Sequence, residues 1–96
     1  MMVNFIERAI SNLKKEDLKV AVSGVVVDKG KSSFMIDDGT GRAGVFFEGD
    51  ITNGKYIRVF GRLVNFENKE IEAEFIQDLD KIDKRLHKKL LEMLAE

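Results

Sequence analysis

Gly30-Lys31-Ser32 reads like the end of a P-loop, in which backbone amides and a lysine grip the phosphates of a nucleotide. That chemistry requires a glycine five positions earlier, where Val25 stands, and a helix after the serine, where a strand pattern follows instead. Asp37 and Asp38 have the donor atoms of a cation site, but adjacent residues of a strand point to opposite faces and no further acid or amide follows at calcium-loop spacing. They read as turn-starting carboxylates that accept hydrogen bonds from the hairpin backbone. His87 is the only histidine and sits among Lys84, Arg85, Lys88 and Lys89, without the two-histidine spacing of a metal-binding helix. Glu72 and Glu74 share one face of a strand, about 6–7 Å apart as any such pair is, and no partner acid is marked out for glycosidase chemistry. With no cysteine and no nucleophile beside a base, the expectation is a chain that is not an enzyme and needs no cofactor or metal.

The elements that would carry these residues follow from periodicity. Asn4 as a cap, Glu7 three residues later and apolar positions Phe5, Ile6, Ala9, Ile10 and Leu13 predict a helix over 4–15. From Leu18 the period changes to two. Val20 and Val22 alternate with polar or small residues, Gly24 interrupts, and Val25 to Val27 continue the first strand. Asp28 to Ser33 is a turn, Phe34 to Asp38 a second strand, Asp38-Gly39-Thr40-Gly41 a tight reversal and Arg42 to Phe47 a third strand. Tyr56 to Val64 forms a fourth, again with a glycine, Gly61, in its middle. Glu67-Asn68-Lys69 is a turn, and Ile71, Ala73 and Phe75 alternate with Glu72 and Glu74 in a fifth strand. Helical spacing returns over 81–95.

Five short strands cannot shield both faces as a flat sheet, and a glycine inside each long strand is where a sheet bends into a closed form. The expected fold is all-β: a five-stranded Greek-key OB barrel over 18–77 with an N-terminal helix over 4–15 and a C-terminal amphipathic helix over 81–95, an SH3-like barrel being the competitor. Ninety-six residues supply one core, hence a single domain over 1–96. Lys+Arg number 16 against Asp+Glu 17, so any nucleic-acid contact must come from a local patch and not from a basic coat. No apolar run reaches the roughly 20 residues of a membrane span, and the start of the chain lacks a signal-peptide pattern. A soluble cytoplasmic protein is expected, with no membrane partner.

The run Ile36-Asp37-Asp38-Gly39-Thr40-Gly41, then Tyr56-Ile57-Arg58-Val59-Phe60-Gly61-Arg62-Leu63, then Phe66-Glu67-Asn68-Lys69, resembles the signature of OB-fold single-stranded DNA-binding proteins. More specifically it is similar to the middle subunit of replication protein A and its archaeal relatives, over about residues 18–94. The resemblance implies a groove across the second and third strands that holds single-stranded DNA by ring stacking and by cations on phosphates. It places Phe66 on the family's aromatic in the loop between the last two strands. Alternation turns Phe46 away from the core. Lys29 and Lys31 belong to the loop after the first strand, Arg42 opens the third strand, and Arg62 and Lys69 lie near Phe66. The sequence departs from the family where its outward tryptophan falls near Glu48, an acid that repels phosphate. Stacking tolerates either sugar, so RNA is an alternative ligand.

Ile82, Leu86, Leu90 and Met93 form an apolar stripe that Leu91 and Leu94 widen, with lysines and Arg85 on the remaining faces. In the family the equivalent helix joins other subunits in a bundle. Ile82, Leu86, Leu90, Met93 and Leu94 are therefore the expected interface with another OB-fold subunit or a second copy, the alternative being a helix folded back on its own barrel. Two functions stand side by side: a non-catalytic single-strand-binding subunit of a replication protein A-like complex, and an assembly subunit whose barrel serves protein contacts. Glu48 and the acidic stretch of Glu67, Glu70, Glu72, Glu74, Asp78 and Asp80 favour the second, and Phe66 with the loop lysines the first.

Overall fold

Strands form where β-branched residues alternate with polar or small ones, and the longest begins with Val20, Val22 and Val26 all turned inward and buried. The computed structural model describes residues 5–80. In chain order its strands are β1 (Ile6–Glu7), β2 (Lys19–Lys29), β3 (Ser33–Asp37), β4 (Arg42–Phe46), β5 (Tyr56–Asn65) and β6 (Glu70–Asp78). The ladder runs β2–β3–β4–β6–β5 and closes where β5 pairs back onto β2, while β1 adds to β2 in parallel. β4 and β6 run parallel and every other barrel pair is antiparallel. The chain thus leaves β4, builds β5 on the far side and returns to lay β6 between them, the Greek-key path of an OB barrel. Inside are Val20, Val22, Phe34, Ile36, Val45, Ile57, Val59 and Ile71, one alternate set from each barrel strand.

The mid-strand glycines act through close approach. A Cβ on Gly61 would lie 2.3 Å from the Glu72 carbonyl oxygen and 2.8 Å from Ile71 Cγ2, and one on Gly24 would lie 2.9 Å from the Asp37 carbonyl oxygen. Gly24 sits where β2 passes from β5 to β3 as its ladder partner. A side chain at either point would push apart strands that must touch for the barrel to close.

The expected arrangement of a barrel between two helices is corrected, because the described residues contain no α-helix. Over 5–15 the chain forms β1 and then a single 3-10 turn, Ile10–Asn12, entered through an extended Ala9. Ile10 and Leu13 are three apart, a spacing that one 3-10 turn satisfies as well as an α-helix does, and both are buried as a plug in the barrel. The free edge of β2 offers backbone partners that a short helix lacks: Ile6 and Glu7 pair with Val20 and Ala21, and the Arg8 amide donates to the Ala21 carbonyl at 3.1 Å. Glu7, expected in a capping box, instead faces Arg58 at 3.4 Å. The C-terminal helix expected over 81–95 lies outside the described residues, as do Ile82, Leu86, Leu90, Met93 and Leu94. Among the described residues no helix is long and apolar enough to cross a membrane.

Two carboxylates hold the plug. The Asp38 side chain accepts from the Ile10 amide at 2.8 Å, and from the Thr40 amide at 2.9 Å, the Thr40 hydroxyl at 2.6 Å and the Gly41 amide at 3.2 Å, so the β3–β4 turn grips the N-terminal segment. Asp17, only 4% exposed, accepts from the Lys14 amide at 2.9 Å and from the Arg8 guanidinium at 3.1 and 3.3 Å. Burial pushes the Asp17 pKa upward and is the largest single influence, but the Lys14 amide and the Arg8 cation together outweigh it and hold the group below its ordinary 3.8.

Replacing Asp38 by alanine leaves the Ile10 amide without its acceptor and is expected to lower stability by about 1–3 kcal/mol in urea unfolding. A carboxylate whose pKa is depressed on folding contributes stability that is complete above its unfolded value and is lost as pH falls through its folded one. Asp17→Asn should therefore be less stable than the parent chain at neutral pH. That gap should shrink as pH drops below 3.8, measured by unfolding at several pH values.

Candidate nucleic-acid interface

Because Phe34, Ile36, Ala43 and Val45 point inward, the residues between them form the outer face of the β3–β4 hairpin. The register sets Ser33 opposite Phe46, Met35 opposite Gly44 and Asp37 opposite Arg42. Two further strands flank this face. On the β2 side an irregularity between Val26 and Asp28 brings Asp28 beside Met35, and on the β6 side Glu70 lies opposite Gly44 and Glu72 opposite Phe46. Asp28, Lys29, Ser33, Met35, Gly44, Phe46 and Glu70 line an open cavity of about 230 Å³. At its floor, Gly44 stands where an added Cβ would meet Met35 Sδ at 3.6 Å and Glu70 Cγ at 3.7 Å, ordinary contacts. Its hydrogen leaves a low surface between the Met35 thioether and the Glu70 stem.

The structure brings together some of the residues expected at this site and separates others. Phe46 is 44% exposed at the end of β4 and lines the cavity with Lys29. Lys29 is the last residue of β2 and not part of a loop, because the strand runs on through its irregularity; Lys31 is exposed in the turn beyond it. Phe66 and Lys69 lie in the β5–β6 turn, with the Lys69 ammonium 5.3 Å from the Phe66 ring centroid. Lys69 takes a left-handed φ of 52°, and its carbonyl accepts from the Gly44 amide at 2.8 Å, which ties that turn to the cavity floor. Arg42 and Arg62 are committed elsewhere: Arg42 Nε donates to Asp37 at 3.0 Å and Arg62 Nη2 to Glu72 at 3.1 Å. The Asp37 carboxyl is held below its usual range, first by the Gly39 amide and then by Arg42. Lys29 and Lys31 make no ion pair among the described residues. Glu48 is exposed just past β4.

Met35 and Gly44 were not marked as site residues, although strand alternation alone places them on the outward face, and Asp28 and Glu70 were marked only as a turn residue and as part of an acidic stretch. A second feature was hidden by a bulge. Phe75 was expected on the face of Ile71 and Ala73, but Phe60 pairs with Phe75 and the next residue, Gly61, pairs with Ala73, leaving Glu74 as an extra residue. One inserted residue reverses alternation, so Ile76 packs on the core and Phe75 turns outward, 50% exposed. Phe75 stacks on Phe60 with centroids 4.5 Å apart, and Phe5 meets both edge-on at 5.4 and 5.7 Å. The cations around this cluster are matched by acids: Lys19 with Glu74 at 2.6 Å, Arg58 with Glu7 and Arg62 with Glu72.

No protein-family model and no curated protein sequence matches the chain. Solved structures do resemble it. The telomere capping protein Ten1 from Saccharomyces pombe superposes with a TM-score of 0.77 at 12% identity, covering 96% of this chain and 98% of that one. The S. pombe Stn1-Ten1 complex gives 0.76 at 12% identity, over 97% of this chain and 93% of that one. Replication protein A of U. maydis bound to ssDNA gives 0.58 at 15% identity, over 80% and 75%. These likenesses establish the fold: a closed five-stranded OB barrel resembling replication protein A-like subunits.

Phe75→Ala removes a stacked and an edge-on ring pair from a half-exposed position and is expected to cost about 0.5–1.5 kcal/mol in chemical unfolding. A loss above about 3 kcal/mol, the scale of truncating a core aromatic, would show that this ring belongs to the interior.

Proposed function

We propose that this chain is a non-catalytic subunit that binds single-stranded nucleic acid, DNA in the first instance, across the outer face of β3 and β4. The observation that carries this reading is an exposed Phe46 beside an open cavity, with Lys29 on its wall and the turn bearing Phe66 and Lys69 tied to its floor through Gly44. A base needs a flat apolar surface, and each base–ring stack is worth about 1–3 kcal/mol. Phe46 supplies one such surface and Phe66 a second. Phosphates then fall to Lys29, Lys31 and Lys69, while Arg42 and Arg62 engage only by exchanging a carboxylate partner for a phosphate. Stacking on these rings reads no sugar, so single-stranded RNA enters by the same route. The fold shared with replication protein A bound to ssDNA supports this reading.

A second reading rests on a different surface. The Phe5–Phe60–Phe75 cluster is half-buried with Phe75 as its exposed member, and the cations around it are already neutralised by acids, which suits a protein partner better than a polyanion. The Stn1-Ten1 complex shows an OB-fold structure of this shape solved with a partner. On this reading the chain is an assembly subunit that docks another OB-fold protein.

Fluorescence anisotropy with labelled oligonucleotides separates the two. Single strands should bind more tightly than duplex, Phe46→Ala and Phe66→Ala should each weaken binding by about 1–3 kcal/mol, and affinity should fall with salt by about 0.7 log units per log unit for each phosphate neutralised. Absence of binding at low salt, with the barrel intact by circular dichroism, would leave the assembly reading in its place.

A further inference from the structure

The acids on the outer wall of the barrel differ in what they touch. Asp37 is engaged by Arg42, Glu72 by Arg62 and Glu74 by Lys19, whereas Glu70 makes no such pair among the described residues. Glu70 opens β6 opposite Gly44, and since that residue has no side chain, the Glu70 stem borders the low floor of the cavity. Asp28 lines the same cavity from the β2 side and Phe46 stands at its end. A base stacked on Phe46 would therefore meet carboxylate oxygens at its edge, in the space where phosphate is repelled.

Resting on the reading that this groove holds a single strand, we infer that Glu70, with Asp28 opposite, selects bases carrying an amino group on the pairing edge and disfavours thymine and uracil. An ionised carboxylate only accepts hydrogen bonds. Cytosine offers its N4 amino group, and acidic side chains accept from that group in base readout. Thymine places O4 at the same position, so two acceptors face each other there, and its one donor on that edge, N3–H, lies a position further along the ring. The two pyrimidines stack over nearly equal areas, so the difference between them isolates the edge. The chemistry asked of the ligand is thus a flat ring with an outward N–H₂, presented beside a phosphate that reaches Lys29.

The test is anisotropy at low salt and mildly alkaline pH, where cytosine is unprotonated, with oligo(dC) and oligo(dT) of equal length against the parent chain, Glu70→Gln and, as a control, Glu16→Gln. Glutamine both donates and accepts and so loses the discrimination. Oligo(dC) should bind the parent and Glu16→Gln at least about fivefold more tightly than oligo(dT), and Glu70→Gln should bring the two within about twofold, chiefly by improving oligo(dT). Equal binding of both strands to the parent, or a preference that survives Glu70→Gln, overturns this inference while the single-strand reading stands. If neither strand binds, the single-strand reading falls and this inference with it.

Discussion

The closure of β5 onto β2 is the constraint on which the remaining geometry depends. That ladder runs from Lys19 opposite Arg62 to Val25 opposite Tyr56, while on its other edge β5 presses at Gly61 against the backbone of β6 more closely than any side chain permits. Once the loop of strands is shut, every barrel strand has partners on both edges and its inward set is fixed. The outward set is then fixed as well. Met35, Gly44 and Phe46 form a floor because Phe34, Ala43 and Val45 are its underside.

Much of this was legible in the chain. The alternation of Val20 and Val22, of Phe34 and Ile36, and of Ile57 and Val59 marks barrel strands, and the glycines at 24 and 61 mark where strands crowd. The carboxylates of Asp37 and Asp38 were readable as turn-makers, and they do accept from Gly39, Thr40 and Gly41. What stayed hidden depended on partners distant in sequence. Ile10 and Leu13 fit a helix and a 3-10 turn equally, and only the vacant edge of β2 and the Asp38 carboxylate decide between them. The extra residue at Glu74 is invisible to a period-two pattern, yet it sends Phe75 outward and Ile76 inward. At the candidate interface, alternation marked Phe46, but the ion pairs that occupy Arg42 and Arg62 arise only when strands far apart in the chain lie side by side.

The outer wall is divided by charge more than by shape. Around the Phe5–Phe60–Phe75 cluster the cations are answered by acids, which leaves aromatic area as its main offering. Around the β3–β4 face, Lys29 and Lys31 make no ion pair among the described residues and Glu70 lines a cavity. A chain that is nearly neutral overall therefore separates an apolar sector from one with polar chemistry still to satisfy, using charges in nearly equal number.

The Greek-key path also bears on how the molecule acquires its shape. The β3–β4 hairpin is local, joined by a turn that its own aspartates organise, whereas β2 with β5 and β4 with β6 join segments separated by long stretches of chain. Loop-closure entropy makes such distant pairings late and slow. The Asp38 carboxylate links the early and late parts: the hairpin tip, once formed, presents the acceptor that captures the Ile10 amide and seats the plug. Of the ladders in the barrel, the seam between β2 and β5 joins the residues farthest apart in the chain, Lys19 with Arg62 among them.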